Sequence, residues 1–228
     1  MEIHGINLNE ITKVVKRQRT ALPFPTEEVE KALLAAYTAE LTQRGQKLAE
    51  RPSGTKIVVL LHSIAEWLAD GTGKPGLLLY GEVGTGKTTA LKAMCRVINA
   101  CCKADRDDYR LDDGKNMISI IRAKDVVTAY QTDSERYKSM IRAEMIGIDE
   151  LGVEAIDVKT YGNSNEPIID LLSTRYDYQR ITAVSSNLDL DQICQRYGLR
   201  LADRFNEMFH KVGFVGASYR GYANQNRR

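Results

Sequence analysis

The chain is poor in cysteine, which limits both its chemistry and its compartment. Four cysteines occur among 228 residues, and they have neither the spacing of zinc ligands nor that of a disulfide framework: Cys95, Cys101, Cys102 and Cys194. The first residues do not show the pattern of a secretory signal either. We therefore expect a protein of the reducing cytoplasm.

Long hydrophobic runs are also missing from the sequence. The longest apolar stretch, residues 57–68, is interrupted by His62 and Glu66, so no segment is expected to cross a membrane. A hydrophobic content of 43% and a charged content of 27% are ordinary for a globular protein. A chain of 228 residues can hold one sizeable α/β domain and a small appendage.

A strong excess of one charge is lacking as well, since the formal net charge is only +2. The charge is nevertheless uneven, because residues 195–228 carry seven basic and two acidic residues, which gives +5 there and −3 elsewhere. A second basic cluster comprises Lys13, Lys16, Arg17 and Arg19. Either cluster can meet phosphates or acidic partners, and for the N-terminal one a solvated basic face is an equal alternative.

The sequence does contain a glycine-rich loop of fixed spacing, Gly81-Glu82-Val83-Gly84-Thr85-Gly86-Lys87-Thr88, which matches G-x-x-x-x-G-K-[ST] throughout. It follows an apolar run, residues 76–80, that predicts a buried strand, and precedes an amphipathic helix over residues 89–98. Glycines let backbone N–H groups approach phosphates, and the helix N-terminus adds a favourable dipole. The pattern predicts a nucleoside triphosphate site.

Two side chains of this loop have expected roles of their own. Lys87 is expected to reach the β- and γ-phosphates, and the Thr88 hydroxyl is expected to ligate Mg²⁺. The next residue, Thr89, is counted with the nucleotide-binding residues. ATP and Mg²⁺ are thus the expected ligands.

Two adjacent carboxylates end a second buried strand, predicted over residues 144–150. Asp149 is expected to help position Mg²⁺, and Glu150 to polarise the attacking water as general base. Either acid alone could simply cap a strand end. An Asp-Glu pair that follows a P-loop in the same predicted sheet favours the catalytic interpretation.

A further strand, residues 181–187, ends in polar residues at the edge of the sheet that faces the nucleotide. Asn187 is therefore a candidate to contact the γ-phosphate or to hold the lytic water. Its alternative role is to cap the following helix, a role that Asp189 or Asp191 could also fill.

The remaining elements are predicted from periodicity and turn residues. We predict helices from Thr26, as N-cap, to about residue 50 and over residues 55–70, 166–178, 190–197 and 199–208, and one that begins with residues 123–130. Strands are expected over residues 116–121 and 211–216, loops over 103–115 and 152–165, and an exposed polar segment over 133–139. The chain divides into a helical N-terminal region (1–54), an ATPase domain (55–220) and a polar basic tail (221–228). The helix of the N-terminal region either docks a partner or packs against the main domain, and the sequence favours neither role.

In order and spacing, these motifs resemble the AAA+ ATPase core, and more narrowly its DnaC/IstB branch of bacterial helicase loaders and transposition helper ATPases. The matching segments are residues 81–88, 148–152, 174–176, 185–188, 198–204 and 218–220. The resemblance implies a five-stranded parallel sheet flanked by helices. It also implies no C-terminal helical lid, because only about forty residues follow the last polar strand end.

The resemblance also implies roles for residues beyond the P-loop. By the resemblance, Asn187 would be the sensor-1 residue. Arg204 would be the arginine finger that reaches a neighbouring subunit's γ-phosphate, and Arg200 is the other candidate for that role. Arg220 would be a sensor-2-like contact with the nucleotide. For each arginine the alternative is a surface salt bridge.

Four functions compete on this basis. The first is a helicase-loader-like ATPase that assembles head to tail, grips single-stranded DNA and acts on a replicative helicase. The second is a transposition helper that coats duplex DNA and recruits a transposase. A small-molecule P-loop kinase is disfavoured because no arginine-rich lid is apparent, and a non-hydrolysing module is disfavoured by Glu150.

Overall fold

A five-stranded parallel sheet forms the centre of the protein, as the sequence predicts. The computed structural model describes residues 2–3, 6–7, 21–48, 56–70, 73–104, 118–160, 163–216 and 218–219. Its strands are β1 (Glu2–Ile3), β2 (Ile6–Asn7), β3 (Gly76–Gly81), β4 (Ser119–Arg122), β5 (Met145–Leu151), β6 (Val158–Thr160), β7 (Asn163–Asn165), β8 (Ile181–Ser186) and β9 (Phe209–Phe214). The large sheet has the order β4-β5-β8-β3-β9, whereas β1-β2 and β6-β7 are small antiparallel pairs.

Helices cover both faces of this sheet. They are α1 (Thr26–Thr42), α2 (Ile57–Ala69), α3 (Lys87–Ala104), α4 (Ala123–Thr132), α5 (Ser134–Arg142), α6 (Pro167–Asp177), α7 (Leu190–Tyr197) and α8 (Leu199–Met208). Because successive side chains of a strand point to opposite faces, Leu77 and Leu79 join α1, α2 and α3 on one side, while Leu78 joins the core formed with α4 to α8 on the other. None of the helices in these ranges combines the length and hydrophobicity that crossing a bilayer requires.

The strand order determines which side chains can meet at the P-loop. The strand β8 pairs with both β3 and β5, so it separates the strand before the P-loop from the strand that ends in Asp149 and Glu150. All three strands are parallel, and their carboxyl ends therefore lie at the same edge. Any direct link between the P-loop and Asp149 passes over the end of β8.

The helix α1 is part of the main core. Its Leu33 and Tyr37 are almost completely buried, and they pack in one cluster with Trp67 of α2 and Met94 of α3. Of the two roles considered for this helix, packing against the main core is the one that the contacts support. The division of the chain at residue 54 stays a prediction.

The bounds of α1 differ from the prediction at both ends. The helix ends at Thr42 and not near residue 50, because Gly45, at φ +66°, ends it in a turn. Its N-cap is Pro25, without a side-chain cap hydrogen bond, so the assignment of Thr26 as N-cap is wrong. Proline suits this position because its φ is fixed and the first helical N–H groups lack partners in any case.

Two segments for which no helix or strand was predicted are regular. Residues 133–139 are exposed as predicted, except for Tyr137, but they lie largely in α5, where Asp133 caps the helix through the Arg136 N–H and where Tyr137 and Met140 are buried. Two buried apolar residues on a short helix give too weak a periodic signal for prediction. The predicted loop over residues 152–165 contains the hairpin β6-β7, whose strands of three residues are also below what a pattern can indicate.

The strands β1 and β2 were not predicted, since residues 1–54 were expected to be helical. The other described elements confirm the prediction, with shifts of a few residues at their ends. The last strand begins at Phe209, two residues earlier than expected, because α8 runs directly into it. Some predictions fall on residues 105–117 and 220–228, which lie outside the described residues. These are most of the loop predicted over residues 103–115, the start of the strand predicted over residues 116–121, Arg220 and the basic tail.

Candidate nucleotide site

The P-loop connects β3 to α3 through glycines whose backbone conformations other residues rarely adopt. Gly81, Gly84 and Gly86 have φ values of +131°, +80° and +97°. A Cβ at Gly81 would lie 2.5 Å from the carbonyl oxygen of Phe214, and one at Gly86 would collide with the Tyr37 hydroxyl. The loop is therefore confined between β9 on one side and α1 on the other.

The Lys87 side chain lies inside the curve of the loop. It is 5% exposed, and its ammonium donates to the carbonyl oxygens of Gly81 at 2.7 Å and Glu82 at 2.6 Å. The Thr85 hydroxyl donates to the same Glu82 carbonyl at 2.7 Å. These bonds fix a cation at the N-terminus of α3, where a phosphate chain would also gain from the helix dipole.

Asp149 is held between the P-loop helix and β8. The Thr88 hydroxyl donates to Asp149 Oδ1 at 2.9 Å, and the Ser185 hydroxyl donates to the same oxygen. Ser185 also accepts a hydrogen bond from the Glu150 N–H at 3.1 Å. The structure thus brings Thr88, Asp149 and Glu150 together, and Ser185 links the Asp149 carboxylate to the backbone N–H of Glu150.

Glu150 occupies a backbone conformation that is rare for a residue with a side chain. Its φ is +61°, and the register between β5 and β8 shifts between Ile148 and Leu151. Such a bulge re-aims a side chain, and strained backbone of this kind occurs often at functional sites. As a result Asp149 is buried whereas Glu150 is exposed. A carboxylate that holds a metal ion and one that activates water would have to differ in this way.

The turn after Glu150 is anchored by a buried carboxylate. Glu154 is 3% exposed, and its oxygens accept hydrogen bonds from the Gly152 N–H at 2.8 Å and from the Tyr197 hydroxyl. Burial, followed by the charge of Glu154, raises the pKa of Tyr197, so the phenol stays protonated and keeps donating. The turn is therefore fixed to α7.

Cys95 lies near this site on α3 but does not fit a chemical role. Burial, and secondarily the charge of Asp149, raise the pKa of the Cys95 thiol to about 12. A thiol that stays protonated at neutral pH is a poor nucleophile. Cys95 is a core residue beside the site.

Asn187 is exposed at the end of β8, as predicted, and it does not cap the next helix. That cap is Asp189, which forms a reciprocal capping box with Gln192 at 2.8 and 2.9 Å. Of the two roles considered for Asn187, the capping role is therefore removed. The sensor role stays a prediction.

The candidate arginines differ in their surroundings. Arg204 lies 3.6 Å from Asp177, over the ring of Tyr176, whereas Arg200 is exposed on the same helix. Within this chain Arg204 therefore makes a salt bridge, which was the alternative to its role as an arginine finger. Arg220 lies outside the described residues.

Two residues at the site were missed by sequence reasoning because they belong to α1 and to the turn after it. Tyr37 packs against Gly86, and the Arg44 guanidinium donates to the Thr89 hydroxyl at 3.2 Å. No local pattern marks either residue. The Tyr219 N–H also bonds to the Gly84 carbonyl at 3.0 Å, so the segment after β9 returns to the P-loop.

The oxygen atoms at this edge fit a magnesium ion. Mg²⁺ prefers oxygen ligands and is usually held by one or two carboxylates together with substrate phosphates. Thr88 and Asp149 supply a hydroxyl and a carboxylate at one point. Within the described ranges no group of three or more His, Cys, Asp or Glu residues could hold a metal alone, so the phosphates of a nucleotide would have to complete the set.

The fold has counterparts among solved structures. The crystal structure of the DnaC helicase loader superposes with a TM-score of 0.50 at 17% identity, over 72% of this chain and 93% of that one. The structure of DnaI gives a TM-score of 0.52 at 16% identity, over 88% and 96%. These likenesses confirm the predicted fold, a five-stranded parallel sheet flanked by helices, which resembles the folds of DnaC and DnaI. No protein-family model matches the chain, and no curated protein matches it in sequence.

The link through Ser185 can be tested with its neighbour as control. Ser185→Ala removes the hydroxyl between Asp149 and Glu150, and we expect kcat for ATP hydrolysis to fall about 10- to 100-fold, as for other residues that orient a metal-side ligand. Ser186 is equally buried but bonds to Leu151 and Leu188 instead. If Ser186→Ala lowers kcat as much, the effect comes from the strand and not from the link.

Proposed function

We propose that this protein is a Mg²⁺-dependent ATPase of DNA replication that acts as a helicase loader. The observation that carries the proposal is the arrangement around Asp149, which binds the P-loop threonine while the adjacent Glu150 is exposed beside it. A merely nucleotide-binding module has no need for the second carboxylate in that position.

Each residue at the edge of the sheet has a part in the proposed reaction. The N–H groups of the P-loop and the Lys87 ammonium bind the β- and γ-phosphates at the N-terminus of α3. Glu150 takes a proton from water as its oxygen attacks the γ-phosphorus in line, and the bond from that phosphorus to the bridging oxygen breaks to release ADP. Asn187 orients the water or the γ-phosphate. Thr88 and Asp149 would hold Mg²⁺, which neutralises charge on the phosphates.

An arginine from a second subunit completes the proposed site. An arginine suits this role because it stays charged and offers several donors to the oxygens of the transferred phosphoryl group. Arg204 would have to leave Asp177 to act in this way, whereas Arg200 is already exposed. A shared site of this kind implies a head-to-tail oligomer.

The proposed partners are DNA and a replicative helicase, in the cytoplasm. Likeness to the DnaC helicase loader supports the fold, and the +5 charge of residues 195–228 supports contact with a phosphate backbone. Single-stranded DNA is the favoured form. The second candidate, a transposition helper with a transposase as partner, shares the site and differs in preferring duplex DNA.

The decisive experiment mixes inactive variants. ATP hydrolysis is measured for the wild type with no DNA, single-stranded DNA and duplex DNA, and then for Lys87→Ala, Arg204→Ala and Arg200→Ala. We expect stimulation by single-stranded DNA and loss of hydrolysis, with ATP still bound, in one arginine variant. Mixing that variant with Lys87→Ala should restore activity, because each subunit then supplies what the other lacks.

The outcomes separate the alternatives. Stimulation by duplex DNA alone would favour the transposition helper. Full activity in both arginine variants, together with indifference to DNA, would contradict the shared site and leave a self-contained P-loop enzyme. Absence of hydrolysis in the wild type under all conditions, with ATP bound, would contradict the ATPase itself.

A further inference from the structure

Arg44 is held beside the P-loop helix by a turn with a defined conformation. The helix α1 ends at Thr42, after which the Arg44 N–H donates to the Leu41 carbonyl at 2.9 Å and Gly45 takes a positive φ of +66°. Hydrogen bonds and a left-handed glycine of this kind fix the path of the chain after a helix. The position of Arg44 relative to α3 is therefore set by the backbone.

The guanidinium of Arg44 reaches the first turn of α3. Its Nη1 donates to Thr89 Oγ1 at 3.2 Å, and its Nη2 lies 3.6 Å from Glu40 Oε2. The Arg44 side chain is 39% exposed, so it reaches solvent, whereas Thr89 is 4% exposed. A guanidinium has five N–H donors in a planar fork, which suits two protein partners and an additional anion.

The electrostatics of this helix end favour an anion. The N-terminus of α3 is the positive end of its dipole, and its first turn contains no acidic residue. Lys87 and Arg44 place two further positive charges there. Glu40 neutralises the charge of Arg44 only in part, because the other carboxylate oxygen of Glu40 is paired with Arg96 at 2.6 Å.

The side of α3 on which Arg44 lies indicates which phosphate it meets. Thr88 points toward Asp149, the expected side of Mg²⁺ and the γ-phosphate. Thr89 is one residue further along, so its side chain points about 100° around the helix axis from that of Thr88. It therefore points away from the expected side of Mg²⁺ and the γ-phosphate. We infer that Arg44 is a nucleotide-binding residue that contacts the α-phosphate, an inference that rests on the proposed binding of ATP by the P-loop.

A purely structural role for Arg44 has a matched control in the chain. Arg96 also joins α1 to α3, through the same carboxylate of Glu40 and at the shorter distance of 2.6 Å. It has no contact with Thr89 among the hydrogen bonds of the described residues. If Arg44 only tied the helices together, replacing Arg96 would have at least as large an effect.

The test measures the affinity of the full-length protein for ATP and for ADP by calorimetry, with Arg44→Gln, Arg96→Gln and Lys87→Ala beside the wild type. We expect Arg44→Gln to weaken both nucleotides by about tenfold, since a half-exposed charged donor is lost. Because both nucleotides contain the α-phosphate, the two losses should be equal. Arg96→Gln should stay within about twofold of the wild type, and thermal unfolding without nucleotide shows that the variants are folded.

Several results would overturn the inference while leaving ATP binding by the P-loop intact. One is an Arg44→Gln affinity within twofold of the wild type. Another is an equal loss in Arg96→Gln, which would assign the effect to packing of α1. A loss confined to ATP would place Arg44 at the γ-phosphate. If the wild type binds neither nucleotide, the proposed function itself fails, which is a distinguishable result.

Discussion

Replacing Glu150 with glutamine is expected to lower kcat for ATP hydrolysis by at least about a hundredfold while the affinity for ATP changes little. Glutamine has the size of glutamate but cannot accept the proton of the attacking water. The side chain is exposed rather than packed under the P-loop, so nucleotide binding should depend on it little.

The backbone at Glu150 makes glutamine the appropriate substitution. At φ +61° any change of side chain can alter the local conformation, and glycine in particular would relieve strain there. Glutamine keeps the same Cβ and the N–H that donates to Ser185. A loss of activity in this variant therefore reports on the carboxylate itself.

The measurement is steady-state hydrolysis together with nucleotide affinity. Glu28→Gln serves as a control, because it removes an exposed carboxylate from α1, away from the site. Unchanged hydrolysis in Glu150→Gln would remove the assignment of Glu150 as general base. An equal weakening of ATP binding would mean that the residue acts in the ground state as well as in the transition state.

Replacing Arg175 with methionine is expected to lower the free energy of unfolding by about 3–5 kcal/mol, because several acceptors lose a buried donor at a cost of about 1–3 kcal/mol each. The Arg175 side chain is fully buried. It donates to Thr182 Oγ1 at 2.9 Å and to the carbonyls of Met140, Ala143 and Ile181 at 2.9, 2.7 and 2.6 Å. Without it, these acceptors would lose the donor that Arg175 supplies.

The location of Arg175 explains why methionine cannot compensate. The carbonyls at the end of α5 have no partners within the helix, and a cation at a helix C-terminus also interacts favourably with the dipole. Arg175 satisfies them while binding the beginning of β8. Burial lowers the pKa of Arg175 to about 9, so the side chain still carries its charge at neutral pH.

Chemical unfolding followed by circular dichroism measures this effect. Arg136→Met is the matched control, because Arg136 lies exposed on α5 and surface substitutions usually change stability by less than about 0.5 kcal/mol. A similar stability for both variants would show that the carbonyls around Arg175 find other partners. The loss should appear without any nucleotide, which distinguishes it from an effect on the site.

The sequence was most informative where a few adjacent residues carry the whole signal. The P-loop needs its glycines, lysine and threonine in one short segment, and the pair Asp149-Glu150 directly follows a buried strand. Parallel strands place such segments at one edge, so the meeting of Thr88 with Asp149 follows from the motif order. The helices α7 and α8 were also predictable, since their apolar residues recur at the spacing of one helix face.

What the sequence did not reveal depends on residues that are distant in the chain. Ser185 is one of many serines until β8 lies between β3 and β5, and only then does its hydroxyl join the Asp149 carboxylate to the Glu150 N–H. Arg44 reaches Thr89 across 45 positions of the sequence. The pairing of Arg204 with Asp177 is of the same kind, and no local pattern distinguishes a paired arginine from one that can reach another subunit.

The burial of α1 has a consequence for how the protein can be divided. A fragment that begins at residue 55 would keep every motif of the nucleotide site, yet it would lose α1, whose Leu33 and Tyr37 are buried in the core against α2 and α3. The apolar surface of α2 and α3 would then be open to water, and such surface promotes aggregation. The smallest unit that can be expressed in soluble form therefore begins before α1, and not at the edge of the recognisable motifs.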